Sequence, residues 1–198
     1  MSPSLDIDDR PLPRPRKEEA MLLTRLEPLD ELLQRYQQEL GKDFTGYRNH
    51  VYRVLNFCNL LISADAQQLQ KLAIAGAFHD LGIWTARTFD YLPPSLRLAE
   101  AHLDEIHRPE WKTEVLTMIE QHHKITAAAP RPDSLVEGFR RADWIDVSLG
   151  MLSFGISRDD RRRVFSAFPD AGFHLRLVQL SFKQLLIRPW KPLPMLRL

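Results

Sequence analysis

The sequence predicts an all-α, single-domain protein, a helical bundle, and three observations carry that expectation. From about Lys17 onward, apolar residues recur at steps of three and four, the period of a helix with one buried face. No stretch shows the strict alternation that a half-buried strand needs. Glycines, prolines and short polar residues fall where helices start and stop. A chain of 198 residues suffices for one core burying roughly 70% of the surface that the unfolded chain exposes.

Residues 1–16 read as an N-terminal arm, because Pro11, Pro13 and Pro15 alternate with charges and leave no room for a helical hydrogen-bond ladder. The helical domain is expected over 17–188. Its first helical region runs from about 18 to 40, interrupted or restarted at Pro28 and closed at Gly41, a residue suited to a left-handed cap. The next helix spans about 43–62, with Val51, Val54, Leu55, Cys58, Leu61 and Ile62 on one face. Asp65 and Gln68 form a capping-box pattern that opens a helix with the stripe Leu72, Ala73 and Gly76, and Gly82 is expected to stop it. A loop rich in aromatics and prolines, 84–94, precedes helices at about 94–106 and 109–124, the second opened by Pro109. After a connector at 127–132, Asp133 starts a helix to about 149, Ser157 with Asp160 starts another, and Asp170 starts a last one that Pro189 terminates. Residues 189–198 form an apolar, proline-interrupted tail with the character to dock on its own core or in a homodimer.

Composition narrows the function classes. Hydrophobic residues make up 44% and charged residues 27%, ordinary for a globular protein. A formal charge of +1 argues against a nucleic-acid polymer as partner, since such binders carry a clear cationic excess, and leaves room for a small anionic substrate. Cys58 is the only cysteine, so neither an internal disulfide nor a thiolate cluster is available, which suits a cytoplasmic protein. The N-terminal stretch lacks an apolar signal core, and no run approaches the ~18 apolar residues of a membrane span.

The chemistry lies in His50, His79-Asp80, His102, His122-His123 and Asp143. Imidazoles and carboxylates together ligate divalent transition metals such as iron, manganese, nickel, zinc and cobalt. His50 aligns with Val54, Phe57 and Leu61; His79 and Asp80 continue the Leu72 stripe; His102 lies between Leu98 and Ile106; His122 follows Val115, Met118 and Ile119; Asp143 follows Val136 and Phe139. Each falls on an apolar row, where an isolated charge costs several kcal/mol unless it is paired or bound to metal. A single histidine on such a face reads as a hydrogen-bonded core residue, whereas the set together reads as a metal centre. His123, turned about 100 degrees from His122, is left open between ligand, substrate contact and outer hydrogen-bond donor. His107 and His174 read as structural, Trp111 and Trp144 as packing, and Asp146 and Glu120 as groups that orient ligands.

The strings His50-Val51-Tyr52-Arg53-Val54, Ala77-Phe78-His79-Asp80-Leu81-Gly82 and Arg141-Ala142-Asp143-Trp144-Ile145-Asp146 resemble, in order and spacing, the HD superfamily of metal-dependent phosphohydrolases, over about half of the chain. The resemblance implies one ion held by His50, His79, Asp80 and Asp143. His102 and His122 look like the ligands of the binuclear branch, which implies a second ion held by these two with Asp80 as bridge. Asp80, His122 and His123 are the residues expected to carry catalysis, and the implied reaction is attack by a metal-activated water on a phosphoester such as a nucleotide. Two departures stand out. Ile83 occupies the position of the family's frequent lysine, and Lys124-Ile125-Thr126 follows His122-His123 where the cyclic-dinucleotide branch has HHExxDGxGYP. Lys124, Arg140, Arg141 and Arg87 are the candidate phosphate contacts. The resemblance also covers diiron oxygenases with the same ligand set, and a non-catalytic metal- or ligand-binding module is the third reading.

Overall fold

The computed structural model describes residues 21–88, 90–187 and Trp190. The expected N-terminal arm, most of the C-terminal tail and Phe89 lie outside these residues. All regular structure within them is helical: α1 (Glu27–Arg35), α2 (Gln37–Leu40), α3 (Phe44–Ile62), α4 (Ala66–Phe78), α5 (Gly82–Thr85), α6 (Leu92–Glu105), α7 (Lys112–Gln121), α8 (Leu135–Val147), α9 (Arg158–Ala167) and α10 (Phe173–Ile187). No helix among the described residues is long and apolar enough to cross a membrane.

The scaffold is the pair α3 and α8. His50 and Arg53 meet Asp146, while Cys58 and Ile62 lie against Gly138, so the two helices run antiparallel. A Cβ at Gly138 would lie 2.8 Å from Ile62 Cγ2; the missing side chain lets the helices approach closely enough to share one polar core. Helix α4 crosses the same face of α3 at Gly76, where a Cβ would sit 2.8 Å from Val51 and 2.7 Å from Leu55. Leu55, Leu72, Ile119 and Phe139 of α3, α4, α7 and α8 are buried, and removing a large apolar side chain there is expected to cost about 2–5 kcal/mol.

Most predicted starts hold. Asp65 and Gln68 make the reciprocal capping box, Ser157 accepts from the amide of Asp160, and Asp170 accepts from Gly172 and His174 ahead of α10. Helix α8 is capped by Ser134, which accepts from the Glu137 amide, in place of the expected Asp133.

Three further boundaries differ. Residues 21–26 are not helical, because α3 side chains take their backbone groups: Leu23 bonds Asn56 in both directions at 2.8 and 3.0 Å, and the Leu26 amide donates to the Tyr52 hydroxyl. Pro28 therefore sits at the start of α1, where its missing amide leaves nothing unpaired. Gly82 does not stop α4, which ends at Phe78; it opens α5 and is needed for close approach, since a Cβ would lie 2.4 Å from the Tyr91 carbonyl oxygen. Helix α7 ends at Gln121, so His122 and His123 lie in the turn that follows.

The aromatic loop after α5 packs inward as expected for core. Trp84 and Tyr91 are buried, and the Trp84 indole donates to Asp43. Trp111 is buried with Arg108 over its ring, and Trp144 donates to the Lys124 carbonyl. Helix α10 packs Phe173 into the core beside His50 and exposes Leu175, Val178, Phe182 and Leu186.

Candidate metal centre

Five of the six predicted ligands converge. His50 from α3, His79 and Asp80 at the end of α4, His122 after α7 and Asp143 from α8 are all buried. The facing nitrogens of His50 and His79, both Nε2, are 2.9 Å apart. Asp80 Oδ2 lies 3.7 Å from the first and 3.4 Å from the second, and Asp143 Oδ1 lies 3.6 and 3.9 Å from them. His122 Nε2 is 3.4 Å from Asp80 Oδ1. These spacings leave one small volume toward which two carboxylates and three imidazoles point.

The outer nitrogens explain the orientation. His50 Nδ1–H donates to Asp146 at 2.6 Å, His79 Nδ1–H to the Gly76 carbonyl at 2.8 Å and His122 Nδ1–H to the Ile119 carbonyl at 2.6 Å. A carbonyl or ionised carboxylate only accepts, so each proton is fixed on Nδ1 and the Nε2 lone pair faces inward, the arrangement that metal-ligating histidines need. Asp146 is fixed in turn by Arg53, through Nη2 at 2.9 Å and through Nε, and Arg53 also donates to the Phe168 carbonyl. Asp146 thus has the orienting role expected of it; Glu120 is half-buried on α7.

Inward, the account does not balance. Asp80 Oδ1, both Asp143 carboxylate oxygens and His122 Nε2 are buried without a hydrogen-bond partner. An unmet buried polar atom costs about 1–3 kcal/mol, more when charged, and four of them around one point make a place that could hold a cation. Among the described residues, two subsets could hold an ion: His50, His79 and Asp80, and Asp80, His122 and His123, with ligand atoms in each subset within 4.8 Å of one another. Burial pushes His79 down to about 3, so its ring is neutral and able to ligate. Asp80 is held well below the usual carboxylate range: burial alone would raise it, and the facing His79 and His122 outweigh that effect. Asp143 is raised by burial. Confined together without a cation, the two carboxylates divide into one charged and one that holds its proton.

His102 is the ligand that the structure does not bring to the centre. The buried row of α6 is Leu92, Ser95, Ala99 and Leu103, one position away from the row Leu98, His102 and Ile106. The latter row faces the rim, where Ile106 is exposed. There the His102 ring packs on Phe78 at 5.5 Å and approaches Glu105 at 3.7 Å, beside a separate cleft of about 330 Å³ lined also by Arg35 and Trp111. His123, not His102, stands with Asp80 and His122, its Nδ1 3.6 Å from Asp143 Oδ2.

The cation candidates divide as well. Arg140 and Arg141 serve the buried Glu137 rather than an open pocket: Arg140 bonds both of its oxygens at 2.6 and 2.9 Å, Arg141 bonds it at 2.8 Å, and the Ala128 amide completes the set. Lys124 follows His123 directly, and its carbonyl accepts from Arg140 and Trp144. Arg87 lines a cleft of about 620 Å³ with Lys42, Arg176 and Lys183, on the other side of Trp84 and Ile83. His107 is exposed. His174 bonds Asp170 and the Asp146 carbonyl, a structural role as expected. Sequence reasoning passed over Arg53, although it follows His50 by three residues and so shares its inward face. It also passed over Glu137, although Arg140 and Arg141 follow it at three and four residues.

No family model, no curated protein and no solved structure matches this chain.

Proposed function

We propose that the chain is a metal-dependent hydrolase of the HD type that cleaves a small phosphoester, with a nucleotide among the substrates to test first. The observation that carries the proposal is the convergence of unpartnered Asp80, Asp143 and His122 atoms on one buried point, backed by outer hydrogen bonds that turn His50, His79 and His122 toward it. The resemblance of the strings around His50, His79-Asp80 and Asp143 supplies the reaction class.

His50, His79, Asp80 and Asp143 would hold one divalent ion, and His122 with His123 would share Asp80 in holding a second. Bound there, such ions activate water and neutralise charge that develops on a phosphoryl group. The chain's own residues orient and exclude. Asp146 and Arg53 lock His50; Gly76 and Ile119 carbonyls lock His79 and His122; Tyr47, stacked on His79 and facing Trp84, seals one side against water. The donor set is nitrogen and oxygen only, which suits manganese, iron, nickel, cobalt or zinc.

The test begins with elemental analysis of purified protein, for which one to two equivalents of transition metal are expected. Phosphate release from a phosphoester panel with manganese is the expected activity. Less than one equivalent after reconstitution overturns the metal centre. Oxygen uptake with iron, without phosphate release, replaces the hydrolase by an oxygenase, and full metal loading without turnover leaves a binding module.

A further inference from the structure

His50, His79 and His122 each give a proton on Nδ1 to a neighbour and turn Nε2 inward. His123 is reversed. Its Nδ1 faces Asp143 Oδ2 at 3.6 Å, and its Nε2 meets the hydroxyl of Tyr91 at 2.6 Å. A carbonyl partner would fix the proton by itself, because it only accepts. A phenol both donates and accepts, so what fixes His123 is whatever receives the phenol's one proton. Burial and the Asp80 carboxylate beside its hydroxyl hold the Tyr91 phenol well above its ordinary range. A carboxylate accepts, so the phenol proton goes to Asp80, and the phenol oxygen is left to accept from His123 Nε2–H. Nδ1 is then unprotonated on the side of Asp143, in a residue whose ligand atom lies within 4.8 Å of those of Asp80 and His122.

We infer that Tyr91 is a positioning residue for a second cation: it bridges Asp80 and His123 and fixes His123 in the tautomer whose free Nδ1 completes the site with Asp80 and His122. This assignment rests on the metal-centre reading above and deepens it. Without the phenol, Nε2 would face hydrocarbon, and the proton would move to Nδ1, where Asp143 is the available acceptor. His123 would then be a donor into the centre and no longer a ligand. The close fit of Gly82 against the Tyr91 carbonyl and the Tyr91 ring's place in the core hold the phenol at this height.

The experiment uses Tyr91→Phe, which keeps the ring, and reads two quantities. Side-chain ¹⁵N spectra of the metal-free protein should show His123 with an unprotonated Nδ1 in the native chain and a protonated Nδ1 in Tyr91→Phe. Titration with manganese or zinc should show the first equivalent bound as in the native chain and the second weakened about 10–100-fold. His123→Ala should lose the second equivalent, and adding Tyr91→Phe to it should change nothing more. A protonated Nδ1 in the native chain, an unchanged tautomer in Tyr91→Phe, or native second-ion affinity in that variant overturns the assignment. A native chain that shows the expected tautomer yet takes up no metal overturns the proposed function instead, so the two failures are distinguishable.

Discussion

Glu137 and the pair Asp80 and Asp143 are all buried carboxylates in a helical core, yet the protein treats them in opposite ways. Glu137 receives two bonds from Arg140, one from Arg141 and one from the Ala128 amide; its charge is neutralised and its lone pairs are used. Asp143 has no hydrogen-bond partner at either oxygen, and Asp80 lacks one at Oδ1. Burial would push Glu137 up, but its partners hold it down at about 2, whereas Asp143 is raised. The difference separates a structural carboxylate from a ligand. The first is complete within the chain; the second, on the proposed function, would be completed by a cation.

The largest expected effect is on metal content. Asp80→Ala should abolish binding of both ions, because Asp80 belongs to both ligand subsets; elemental analysis of the variant checks this, and retention of one equivalent would contradict a bridging role. In metal-free form the same variant should unfold at no lower denaturant than the native chain, since it removes an uncompensated buried charge. Glu137→Ala should do the reverse. It strands two arginines at a buried position and should cost about 3–5 kcal/mol in chemical denaturation, while the folded fraction keeps its full metal complement.

Acid should separate the two sites next. Glu137 is depressed from 4.5 to about 2 in the folded chain, so its contribution is present above about pH 4.5 and is lost as pH falls from there toward 2. Glu137→Gln should therefore flatten the acid limb of the stability curve, and an unchanged limb would show that other groups govern it. The smallest effect belongs to His102→Ala, which should leave metal stoichiometry intact and change stability by no more than about 1 kcal/mol. Loss of the second equivalent in that variant, with none in His123→Ala, would restore His102 as ligand and remove His123.

Much of this site was legible as a pattern. His50, His79, Asp80, His122 and Asp143 each sit on an apolar helical row, and an inward polar residue announces a partner because burying it alone is costly. The error at His102 shows the limit of that reading. Leu98 and Ile106 make its row look buried, but α6 turns the adjacent row of Ala99 and Leu103 to the core, and a rotation of about 100 degrees per residue is enough to move a ligand to the rim. Tyr91 and Glu137 were hidden for other reasons. Tyr91 meets His123 from a separate segment, so no local spacing marks it. Glu137 was marked by Arg140 and Arg141 three and four residues on, but those arginines read as substrate contacts.

The helical class, the caps at Asp65, Ser157 and Asp170, and the inward placement of most ligands follow from the sequence alone, because they depend on residues within a turn or two of one another. Which histidine stands beside Asp80 and His122, and why Gly82 must be glycine, were decided only when the helices packed. Hydrogen-bond satisfaction in a core is settled between segments, and the sequence does not state which distant partner will be within 3 Å.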